Sequence, residues 1–127
     1  MGLTLFPGDG NTRSPDVAWS YTGFNAFRER LARAEGFVLS AMWGFGGDRP
    51  WSDLSTCLEP LLDHPDDGGD PLSAAECAGI LPRLEAVIDE WLLEPAEPLL
   101  QQHIEDARQL TVVLRLCIDK GVELCFL

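Results

Sequence analysis

SAAECAGILPRLEAVIDEWL, residues 73–92, is the stretch on which the fold of this chain turns. Ser73 followed three positions later by Glu76 is a capping box, in which hydroxyl and carboxylate each satisfy one backbone N–H at the start of a helix. Behind it Cys77, Ile80, Leu81, Leu84, Val87, Ile88, Trp91 and Leu92 recur at steps of three and four, so they share one stripe of that helix. Pro82 lacks a backbone donor and predicts a kink or a restart partway along. A stripe this wide must be covered by other elements, and the flanking sequence supplies them.

Downstream, Pro95 and Pro98 punctuate a gap, and Pro98 suits the first turn of a last helix that runs to about Lys120. Leu100, Ile104, Ala107, Thr111, Leu114, Cys117 and Ile118 form its inner stripe, and Gly121 its C-terminal cap. Upstream, Phe24, Phe27, Leu31, Ala34, Val38 and Met42 predict a helix over 23–43, capped by Ser20 or Thr22, with Arg28, Glu29, Arg30, Arg33 and Glu35 toward water. Gly44, Gly46, Gly47 and Pro50 end it, and a short helix over 52–62 follows with Leu54, Leu58, Leu61 and Leu62 inward.

The two ends alternate instead. Leu3 and Leu5, then Val17, Trp19 and Tyr21, flank the turn formers Pro7-Gly8-Asp9-Gly10-Asn11, which reads as a β-hairpin with a long loop. Val122, Leu124 and Phe126 alternate with Glu123 and Cys125 and predict a terminal strand that pairs with the hairpin. The expected architecture is therefore α+β and helix-dominated: about four helices on a small antiparallel sheet, with 1–127 as one globular domain.

Charge limits the possible partners. Residues 48–106 hold 15 carboxylates against two cations, Arg49 and Arg83, a local −13 beside −12 for the whole chain. A field of that sign repels phosphate backbones and attracts basic surfaces or metal cations. The basic patch Arg28, Arg30, Arg33 is too small to drive nucleic-acid binding, and is expected to pair with the acidic middle. No run of eighteen apolar residues, no basic n-region and no myristoylation pattern is present, so no membrane association is expected and the cytoplasm is the expected compartment. Cys57, Cys77, Cys117 and Cys125 lie far apart among apolar neighbours and read as free, mostly buried thiols.

Three candidate sites remain. The loop Asp63-His64-Pro65-Asp66-Asp67-Gly68-Gly69-Asp70-Pro71 gathers carboxylates that could meet Ca²⁺, with Asp63, Asp66, Asp67 and Asp70 as the ligands. Its register fails the EF-hand: counted from Asp63, the position that needs a bidentate Glu is Ala74, and counted from Asp66 it is Cys77. The loop Trp43-Gly44-Phe45-Gly46-Gly47-Asp48-Arg49-Pro50-Trp51 offers aromatics as interface anchors, with Trp43 and Trp51 expected in the core and Phe45 partly exposed. His64 and His103 could serve as general bases, but no nucleophile stands in an activating motif, so no catalytic residue is assigned.

The strings Ser20-Tyr21-Thr22-Gly23-Phe24-Asn25-Ala26-Phe27-Arg28, Leu61-Leu62-Asp63-His64-Pro65-Asp66 and Glu76-Cys77-Ala78-Gly79-Ile80-Leu81-Pro82-Arg83-Leu84 resemble those of a family of small, acidic, uncharacterised bacterial proteins. The resemblance covers most of the chain and implies no assigned activity and no catalytic residues. In that family the acidic loop reads closer to D-x-D-G, and Asp66-Asp67-Gly68-Gly69 departs from it, which argues against a shared cation site.

Together these features lead to the expectation of an acidic cytoplasmic interaction module, of immunity, inhibitor or adaptor type, that needs no cofactor and engages an unknown protein with a basic surface. Phe45, Asp48, Asp66, Asp67 and Asp70 are the expected contact residues. A divalent-cation protein using loop 63–70 is the alternative, and a small hydrolase using His64 or His103 the third.

Overall fold

The computed structural model describes residues 2–64 and 69–127. Its fold is α+β: four α-helices and a three-stranded antiparallel sheet among the described residues. β1 (Gly2–Pro7) pairs with β2 (Val17–Ser20) on one side and β3 (Leu124–Phe126) on the other, giving the order β2-β1-β3. The register sets Leu3 opposite Trp19 and Leu5 opposite both Val17 and Phe126. All five side chains are buried on one face, as a period of two requires. Leu72 extends the ladder beyond β3, exchanging both backbone bonds with Leu124 at 2.8 and 2.9 Å.

Tyr21 was expected to close β2 and instead opens α1 (Tyr21–Ala34), because the Ser20 hydroxyl accepts from the Gly23 N–H at 3.0 Å and caps the helix there. α1 also stops nine residues earlier than its stripe predicts. Gly36 takes the left-handed conformation at φ 86°, its N–H bonds to Arg33 O, and the Phe37 N–H reaches back to Ala32 O at 3.0 Å. That pair of bonds is a Schellman motif, which turns the chain out of the helix. Val38 is consequently exposed, while Leu39 and Met42 reach the core from a 3-10 turn at Leu39–Ala41.

The helix expected over 52–62 is likewise shorter: a 3-10 turn at Trp51–Asp53, extended chain, then α2 (Glu59–Leu62). Pro60 explains the delay: in the first turn of α2 its missing N–H costs no helical hydrogen bond, and its fixed φ suits a helix start. Leu58, Leu61 and Leu62 are buried as expected, and Leu54 only partly.

α3 (Ala74–Leu92) carries the complete capping box and runs unbroken through Pro82. Pro82 and Ala78 both face solvent, so the Ala78 carbonyl that loses its helical donor lies on the hydrated side. α4 (Pro98–Lys120) ends at Gly121, left-handed at φ 64°, and begins with a cap absent from the sequence reading, the Glu97 carboxylate accepting from Leu100 N–H at 2.8 Å. α3 and α4 pack together, and one apolar cluster joins them to α1, α2 and the inner face of the sheet.

All four cysteines are free, but their burial differs from the expectation. Cys77 and Cys117 are buried where α3 meets α4, Cys125 is half-buried and Cys57 is exposed. Cys57 precedes α2 in a turn whose inward position is taken by Leu58.

Candidate interaction surface

Arg28 organises the region that holds two of the three candidate sites. Expected toward water, it is 1 % exposed. Its position is four after Phe24 and three before Leu31, on the apolar stripe, so helical spacing placed it inward and only the residue type argued otherwise. Its guanidinium donates to the His64 carbonyl at 2.6 Å and lies over the rings of Phe24 (4.4 Å) and Phe45 (5.0 Å). A cation so far from water is held by carbonyl oxygens and aromatic faces together.

Through this one side chain the acidic loop and the glycine-rich loop are fastened to α1. His64 is buried with its ring stacked on Phe126 at 3.6 Å, and its Nε2 lies 2.7 Å from the Asp70 carbonyl, to which it donates. The imidazole thus closes the base of the acidic loop. Asp63 and Asp70 are exposed at the two ends of that loop. Partial burial, with repulsion from Glu59 added, raises the Asp63 carboxyl above its usual range. Asp66 and Asp67 lie outside the described residues. Among the described residues no three potential ligands come close enough to hold a metal ion.

The glycine-rich loop is built tightly. Trp43 N–H bonds to Arg49 O at 2.9 Å, Arg49 N–H to Ala41 O at 3.0 Å, and the Trp51 indole N–H to Trp43 O at 3.0 Å. Gly47 sits against the chain so closely that a Cβ there would collide with the Ala41 carbonyl. Trp51 is in the core between Phe37 and Phe45, with ring centroids 5.9 Å away on both sides. Phe45 is half-buried, in line with the expectation. Trp43 is not in the core: its backbone is pinned, yet the residue is 69 % exposed. Asp48 and Asp53 are exposed on the same loop, with Arg49 3.7 Å from Asp53.

His103, the third candidate, is buried 3 % exposed at the junction of α1, α3 and α4. Its Nδ1 accepts from Arg30 Nε at 2.7 Å, while Phe27 and Trp91 surround the ring. Arginine can only donate, so the imidazole is neutral, with its proton on Nε2. Burial and the Arg30 charge both hold its pKa below the ordinary value. Arg30 also pairs with Glu97 at 3.0 Å, joining the basic helix to the acidic middle of the chain.

Other carboxylates are drawn inward or neutralised: Glu35 and Glu90 share Arg83, and Glu85 pairs with Arg115. Asp48, Asp63, Asp70, Asp89, Glu94 and Glu105 make no ion pair among the described residues and face solvent. A second exposed apolar set, Leu92, Leu93 and Leu99, lies at the α3–α4 turn beside Glu94 and Glu97. No helix among the described residues is long and apolar enough to cross a membrane. No family model matches the chain, and no match is found among curated proteins or solved structures.

Proposed function

We propose that this chain is an acidic protein-interaction module, of immunity, inhibitor or adaptor type, that works in the cytoplasm on a protein with a basic surface. Trp43 carries the reading. The residue is 69 % exposed on a loop whose other aromatics, Phe45 and Trp51, are packed. Leaving a large ring in water forgoes roughly 2–3 kcal/mol of burial, and a pinned backbone means little conformational freedom is lost when a partner covers it. Aromatics in that situation are the usual anchors of interfaces. Around it Asp48 and Asp53, together with the unpaired carboxylates of the acidic middle, supply a field that selects a basic partner and speeds encounter.

Phe45, one of the expected contact residues, is read as a structural part of the loop rather than an anchor, since its ring packs on Trp51 and on the Arg28 guanidinium. The resemblance to small acidic bacterial proteins is compatible with this role and adds no activity to it. His64 and His103 favour no hydrolase, because both rings are buried and hydrogen-bonded as structural links. The test is a photo-crosslinking residue at position 43, used to trap the partner in cells. The trapped protein is then purified and its association rate with the wild-type chain measured from low to high salt. A basic partner whose association slows steeply with salt supports the reading; a partner bound at a salt-independent rate refutes it.

A further inference from the structure

We infer that the cleft between the C-terminal halves of α1 and α3 binds a small zwitterion, with a free amino acid as the simplest class of ligand. The cleft holds about 200 Å³, is open to solvent and is lined by Arg30, Arg33, Ala34, Glu90, Trp91 and Glu94. That is below the ~300–1,000 Å³ of pockets for drug-sized molecules, a size that suits a small ligand. Arg30 and Arg33 line it from α1, Glu90 from α3 and Glu94 from just past the end of α3, with Ala34 and Trp91 completing the lining.

One charge on each wall is fixed from behind. Arg30 is held by His103 and Glu97 with its side chain only 15 % exposed, and Glu90 is held by Arg83 at 3.1 Å, which is itself anchored on Glu35 at 2.8 Å. The other charge on each wall is open. Arg33 and Glu94 make no ion pair or side-chain hydrogen bond among the described residues, although they line the same cleft. An anion entering here meets Arg33 but is repelled by Glu94, and a cation meets the reverse. A molecule carrying both charges satisfies both walls, its carboxylate on Arg33 and its ammonium on Glu94. The supporting pairs behind Arg30 and Glu90 keep the walls in place before the ligand arrives.

This inference goes beyond the interaction role and stands apart from it, since Trp43 lines no part of the cleft. The experiment is an NMR titration of the full-length chain with glycine, L-alanine and L-leucine, following the backbone amides. N-acetyl-L-leucine and L-leucine methyl ester, each lacking one charge, serve as controls. The expected result is saturable, submillimolar binding of at least one free amino acid, with shifts centred on residues 30–34 and 90–94. Binding should weaken at least tenfold for both blocked derivatives and in Arg33→Gln and Glu94→Gln, whose exposed positions leave the fold intact. No saturable shift with any of the three, equal binding of the blocked derivatives, or binding retained in both variants would overturn it.

Discussion

The Arg28 guanidinium donates to the carbonyl oxygen of His64 at 2.6 Å, thirty-six residues away in the chain, and this bond ties the acidic loop to the first helix. Replacing Arg28 with Met keeps much of the volume but leaves that buried carbonyl without its donor and removes the cation from the Phe24 and Phe45 rings. The expected loss is roughly 2–3 kcal/mol of folding stability, read from urea denaturation. A cost under about 0.5 kcal/mol, typical of a surface arginine, would mean that Arg28 does not organise the loops.

The neutral His103 couples stability to pH. Its folded pKa lies below the unfolded value of about 6.5, so the unfolded chain takes up the proton more readily. Stability is therefore complete above that value and is lost as pH falls below it toward the folded pKa. Thermal melts between about pH 7.5 and pH 5 should show this decline, and His103→Gln should flatten it. Identical slopes for the two proteins would refute the assignment.

Thiol chemistry should separate the cysteines into classes. Cys57, exposed ahead of α2, is expected to label quickly in the native protein, while Cys77 and Cys117 stay protected until the chain unfolds. The hydrogen bond to the Cys117 sulfur, with burial added, pushes the Cys77 thiol above its ordinary range, which lowers its reactivity further. Fast native labelling of Cys77 would contradict the packing of α3 against α4.

Phe45 is expected to behave as a structural residue. Its ring contacts Trp51 and the Arg28 cation, so Phe45→Ser should cost about 3 kcal/mol of stability, measured by denaturant titration. A nearly unchanged midpoint would move Phe45 back among the displayed contact residues.

The parts of the fold that were readable are those with local causes. Ser73 with Glu76, Pro98, Gly121 and the alternation in the two terminal strands each act within a few residues, and each is found where the sequence puts it. The end of α1 was missed because the apolar spacing continues past Gly36, and the helix ends through a backbone conformation that the stripe does not record. Arg28 was missed although its spacing was right, because arginine is so seldom buried. The Arg30–His103 contact joins residues seventy-three apart, and nothing in either neighbourhood announces it. Trp43 lies on an irregular loop, where no periodicity tells inside from outside, so its apolar character alone suggested the core.

The central claim is that Trp43 is displayed for a partner, and substitution of that one residue tests it. Trp43→Ser should melt within a degree or so of the wild-type chain, because the indole contributes little to the core. Against the protein trapped at position 43, calorimetry should show that the same change weakens binding by more than ~2 kcal/mol, about thirtyfold in Kd. A large fall in melting temperature, with unchanged affinity in the folded fraction, would show that Trp43 serves the fold and not an interface.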